Sequence, residues 1–132
     1  MLTPHEGELG RLLERDREEV EAHRLTSVRE AAERSGAVVL LKGDDTLVAL
    51  PGGPVAVSPG GSPALATAGT GDVLSGVIGA LLAKGLGPFE AASLGCLAHV
   101  RAGQAAAERL GADHVVAGDV IEALPRGFRS IT

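Results

Sequence analysis

Aromatic side chains are nearly absent from this chain: no tryptophan, no tyrosine and two phenylalanines among 132 residues. Basic excess is missing too, because 12 Lys and Arg stand against 17 Asp and Glu, a formal net charge of −5. Without a basic stripe or interleaved aromatics, nucleic acid is excluded as an expected partner. One cysteine, Cys96, rules out an internal disulfide framework and suits a reducing, cytoplasmic setting. The apolar runs are too short to span a bilayer, and no charged-then-apolar leader opens the chain. A soluble domain, or part of one, is expected.

What the chain does have is apolar residues (45%) and 19 glycines. Thr3 is placed to cap a helix opening near Pro4 and carrying Leu9, Leu12 and Leu13 at helical spacing. A charged helix is expected over 18–34, with Val20, Leu25, Val28, Ala31 and Ala32 inward and Gly36 as its stop. "AVVLLK" (37–42) is short, apolar and β-branched, the pattern of a strand buried on both faces in a parallel sheet. "TLVAL" and "PVAVS" flank Gly52-Gly53 as a hairpin. A helix from Gly71 to about Gly85 and another from Pro88 to about Leu110 follow. "AGDVIEALP" is expected as a short last helix, capped by Asp119 and stopped by Pro125. The class is α/β, with few strands and several covering helices.

Three stretches could carry chemistry. In "ALATAGTGDVLSG" (64–76), Gly69-Thr70-Gly71 precedes an apolar helix, as in loops whose amides and helix N-terminus cradle an anion. A P-loop would need a lysine after the last glycine, and a dinucleotide fingerprint a glycine where Leu74 stands. A short glycine loop bearing an acid suits phosphoryl transfer to a hydroxyl instead. The Gly69, Thr70 and Gly71 amides would stabilise phosphate charge, and Asp72 would accept the hydroxyl proton. Asp72 reads equally as a first-turn acid stabilised by the helix dipole, by about 0.3–1 kcal/mol. Lys42 ends a strand where α/β sheets often present a ligand-facing lysine, or it simply reaches solvent. Gly43 lets the chain turn, and Asp44 and Asp45 read first as turn acids, or else as groups near a nucleotide's metal ion. His5 is either a ligand contact or a surface residue. His23, His99 and His114 show no metal-ligand spacing and are taken as structural, Cys96 as a small core residue.

"LTPHEGEL", "VVLLKGDDT", "GGSPALATAGTGDVLSGVIGALLAKG", the Ala91-Ala92 to Gly103 stretch and "AGDVIEALP" occur in the order seen in ADP/ATP-dependent NAD(P)H-hydrate dehydratases, which the chain resembles over almost its whole length. The resemblance implies a ribokinase-like three-layer α/β/α fold, of which residues 1–132 correspond to the C-terminal half. It implies a metabolite-repair lyase that uses ADP or ATP with Mg²⁺ to dehydrate NAD(P)H hydrate. Asp72 would be the catalytic base, His5 and Asp72 would contact the hydrate, and Lys42, Gly43, Asp44, Asp45, Thr46 and Gly71 would hold the adenine nucleotide. No protein metal ligand is implied.

Some positions depart from the family pattern. Glu6 stands for a usual proline, Ser62 for asparagine and Ala68 for glycine, while Asp44-Asp45 adds acid near the expected phosphates. Half a sheet exposes a strand edge and an apolar surface, so a companion N-terminal half or a homo-oligomer is expected. A ribokinase-like kinase of vitamin precursors and a non-catalytic nucleotide-binding module are the other readings.

Overall fold

The computed structural model describes residues 1–58 and 60–131, which form two compact units, Met1–Pro59 and Gly60–Thr132.

In the first unit, residues 2–4 run extended rather than helical. Leu2 N–H donates to the Val38 carbonyl, and the Leu2 and Pro4 carbonyls accept from Leu40 and Lys42 N–H, each at 2.9 Å. With its backbone beside that strand, Thr3 is not the cap. Helix α1 (Glu6–Leu13) starts later, with His5 as N-cap. Helices α2 (Arg17–Ala22) and α3 (Arg24–Ser35) replace the single helix expected over 18–34. The backbone leaves helical geometry only at His23 (φ −138°, ψ 52°). Positions 20, 28 and 31 share one face whether or not the helix breaks, so their spacing could not show it. Gly36, at φ +63°, ends α3 in the left-handed region that glycine adopts without strain.

Strands β1 (Val39–Leu41), β2 (Leu47–Ala49) and β3 (Val55–Val57) form a sheet in that order, antiparallel throughout, with Val39 facing Ala49 and Leu47 facing Val57. β1 is buried along its length as expected, but the only parallel neighbour among the described residues is the Leu2 segment. Leu9, Val20, Val28, Val39 and Leu41 are fully buried in the unit's core. Each such side chain contributes roughly 1.5–3 kcal/mol. Leu25 does not join them; it is 47% exposed.

The second unit is helical: α4 (Thr70–Ala83), α5 (Pro88–Leu110) and α6 (Ala117–Arg129), with 3₁₀ turns at Pro63–Leu65 and Ala112–His114. α5 has the expected bounds, with Pro88 at its first position, where the missing N–H costs nothing. Small residues let α6 approach it closely. A Cβ on Gly127 would collide with the Ala98 carbonyl and lie 3.0 Å from Ala102 N. That packing holds the last turn of α6 beyond Pro125, where the sequence suggested a stop. Asp119 is not the N-cap. Val116 is, and Asp119, at the third helical position, accepts its N–H at 2.9 Å.

Candidate functional site

In the second unit, the turn at Pro63–Leu65 leads into Gly69, whose φ of +87° belongs to glycine. α4 begins at the next residue. Thr70 is buried, and its hydroxyl lies 2.7 Å from the Leu65 carbonyl and 2.9 Å from that of Thr67, fastening the loop to the helix start. The Thr70 amide points at Thr67 O over 3.5 Å, while no described residue accepts from the amides of Gly69, Gly71 and Asp72. Those donors and the α4 dipole make a positive end. Asp72 sits in the first turn, exposed, and caps nothing: the N-cap is Gly69 and no side-chain cap bond exists. The arrangement offers free amides to an anion and, in the same first turn, a carboxylate able to take a proton.

Asp72 also stands at one end of an apolar groove of about 790 Å³ between α4 and α6, lined by Val77, Ala80, Ile121, Leu124 and Phe128 among others. α4 is apolar around most of its circumference, as a helix covered on several sides would be. Beneath the loop lies His99, taken from sequence as structural and in fact buried. Burial lowers its pKa and the Thr70 backbone opposes the shift; Nε2 has no partner among the described residues.

The other sequence-expected residues belong to the first unit. His5 Nδ1 accepts the Glu8 N–H at 3.2 Å, and Glu8 Oε2 accepts the His5 N–H at 2.9 Å, a capping box that fixes the ring. That backbone bond first, and then the charges of His5, Lys42 and Arg11 against a desolvation penalty, hold the Glu8 carboxyl below its ordinary range. Lys42 Nζ lies 3.9 Å from Glu8 Oε2, so Glu8, whose place as a first-turn acid the sequence suggests, joins His5 to Lys42. Gly43, Asp44 and Asp45 form an exposed bend as expected, and buried Thr46 ties it with an Oγ1 bond to the Gly43 carbonyl at 3.3 Å. Gly43 does not serve a left-handed turn. Its missing side chain makes room for the guanidinium of Arg24, a residue sequence reasoning passed over. Nothing in the 24–35 pattern marks Arg24, which looks there like one more surface charge.

No group of three or more His, Cys, Asp or Glu among the described residues could hold a metal. A Mg²⁺ bound mainly by phosphate oxygens and water needs no such group. No helix among them is long and apolar enough to cross a membrane.

A glycine loop opening a helix, with an acid in that helix's first turn, sits in an α/β chain, and solved structures place the fold in the ribokinase-like class. The *Bacillus subtilis* ADP/ATP-dependent NAD(P)H-hydrate dehydratase co-crystallised with ATP/Mg²⁺ superposes with a TM-score of 0.92 at 30% identity, over 99% of this chain and 48% of that one. A ribokinase-like superfamily protein from *Enterococcus faecalis* V583 gives a TM-score of 0.78 at 29% identity, over 98% of this chain and 44% of that one. The chain belongs to the NAD(P)H-hydrate dehydratase family, whose model matches residues 1–126. The bifunctional NAD(P)H-hydrate repair enzyme Nnr of *Thermofilum pendens* is 42% identical over 99% of the chain, and that of *Moorella thermoacetica* 43% over the same share. The chain spans 25% of the length of each of these two relatives and about half of the solved ones.

Proposed function

We propose that this chain supplies the phosphate-handling half of an enzyme that dehydrates NAD(P)H hydrate at the expense of ADP or ATP in the cytoplasm. The observation that carries the reading is the pairing of unfilled amides at Gly69, Gly71 and Asp72 with an uncommitted Asp72 carboxylate. In this reading Asp72 takes the proton of the ring hydroxyl, whose oxygen attacks the terminal phosphorus. The bond from that phosphorus to the nucleotide's bridging oxygen breaks, and the amides carry the charge on the transferring group. The phosphorylated hydroxyl leaves as phosphate, a ring proton is lost and the double bond of NADH or NADPH returns. Mg²⁺ would arrive with the nucleotide phosphates and neutralise them. His5 would contact the hydrate, and Lys42 to Thr46 the nucleotide.

The groove along α4 is assigned one occupant, a polypeptide equivalent to the remaining half of the solved relatives' domain. Its support is the chain's coverage of about half of those structures and the apolar face of α4. The test is to mix the chain with that companion half and follow NADH formation from hydrated NADH with Mg·ADP or Mg·ATP. Asp72→Asn should lower turnover about 10²–10⁴-fold while leaving nucleotide affinity nearly intact. Equal loss of both would make Asp72 structural, a phosphorylated product without dinucleotide would make the protein a kinase, and binding without turnover a non-catalytic module.

A further inference from the structure

Arg24 is badly placed for helix stability. It is the first residue of α3, a helix with no acidic residue in its first turn, so its cation sits at the positive end of the dipole. Its side chain is only 22% exposed and turns away from its own helix. Nη1 donates to the Asp45 carbonyl at 2.8 Å, and Nη2 to the Lys42 and Leu41 carbonyls at 3.3 and 3.5 Å. One planar group thus joins the end of β1 to the residues just before β2, closing the bend at Gly43, Asp44 and Asp45 from beneath. The guanidinium also has an anionic neighbour: Nε lies 3.4 Å from Oε1 of Glu6, whose side chain is 18% exposed, an ion pair in which Nε makes no hydrogen bond. The absence of a Cβ at Gly43 is what admits Nη2, since a methyl group there would collide with it.

We propose that Arg24, oriented by Glu6, is a positioning residue for the nucleotide segment Lys42–Thr46, an inference that rests on assigning that segment to the adenine nucleotide. The clamp does two things. It fixes the bend before a ligand arrives, so binding does not have to order it. It also puts the guanidinium's positive charge, partly offset by Glu6, at the base of a bend bearing Asp44 and Asp45. A guanidinium suits both tasks, because its rigid fork reaches carbonyls on two sides while a lysine ammonium is a single point donor. Glu6 does more than occupy the family's usual proline position: it ties the helix start beside His5 to the bend.

The test uses the full chain, with amide hydrogen exchange at 43–46 and Mg·ATP affinity by calorimetry. Arg24→Gln should raise exchange at these amides and weaken Mg·ATP about tenfold, out of proportion to any change in Tm. Arg24→Lys should not restore either, and Glu6→Gln should move both in the same direction by a smaller factor. Gly43→Ala keeps the charge but pushes the guanidinium off its seat, so it should reproduce Arg24→Gln and decides the matter if that variant fails to fold. Unchanged exchange and affinity in these variants would overturn the clamp. Faster exchange with unchanged affinity would overturn the positioning role. Absence of Mg·ATP protection at 42–46 in the unaltered chain would show that the nucleotide assignment itself is at fault.

Discussion

Thr70 Oγ1 and the Leu65 carbonyl oxygen lie 2.7 Å apart, so a buried hydroxyl shuts the glycine loop onto the first turn of α4. Thr70→Val keeps the shape and removes the donor, leaving the Leu65 and Thr67 carbonyls without it. The expected loss is about 1–2 kcal/mol in urea denaturation, with Thr70→Ser close to the original protein. A neutral Thr70→Val would mean the hydroxyl does not hold the loop.

His99 makes stability depend on pH with a definite sign. Its folded-state pKa is depressed from 6.5, first by burial, with the Thr70 backbone opposing. Between the ordinary value and the lower folded one, the unfolded chain binds a proton that the folded chain refuses. Stability is therefore full above pH 6.5 and falls as pH drops through that window. The urea midpoint measured downward from neutral pH should decline, and His99→Gln should flatten that part of the curve.

Glu8 adds a second acid-side loss. Its folded pKa lies below 4.5, chiefly through the His5 N–H, so its contribution is present above that value and disappears as pH falls through the folded one. The group is solvent-facing, and the effect is small. In Glu8→Gln, acid titration of Tm should lack this component while the His99 component stays.

Gly127 and Gly118 separate packing from helix propensity within α6. Gly127→Ala places a methyl group against the Ala98 carbonyl and Ala102 of α5, for an expected loss of about 1–3 kcal/mol. Gly118 has nothing within 4 Å of where a Cβ would stand, so Gly118→Ala should be neutral or stabilising by up to about 1 kcal/mol. Thermal denaturation of the two variants distinguishes them.

Ile121 is 54% exposed and lines the groove beside α4. Ile121→Lys should weaken capture of a companion half, with little change in Tm. Unaltered complementation would show that the groove is not the docking face.

Much of this was legible in the residues. Gly69-Thr70-Gly71-Asp72 announces a glycine turn into a helix because left-handed backbone and a helix start leave local marks, and the hairpin at Gly52-Gly53 and the run from Pro88 to Leu110 are local in the same way. Thr3 and Pro125 misled for a shared reason: each obeys a local capping or stopping rule that a distant partner overrides, β1 beside residues 2–4 and α5 against Gly127. Asp119 misled locally, because it accepts the Val116 N–H from the third helical position instead of being the cap. Periodicity could not expose a helix break confined to His23.

By itself, the sequence determined the periodic helices, the hairpin and the glycine turn that opens α4, all of which depend on neighbours a few residues apart. Only the tertiary structure decided that Arg24 closes the Lys42–Thr46 bend, that Glu8 links His5 to Lys42, that His99 lies buried beneath Thr70, and that α4 and α6 frame an apolar groove. Arg24 reaches the Asp45 carbonyl across 21 positions of chain. An interaction over that separation depends on how the backbone returns on itself, and residue type and spacing alone leave no trace of it.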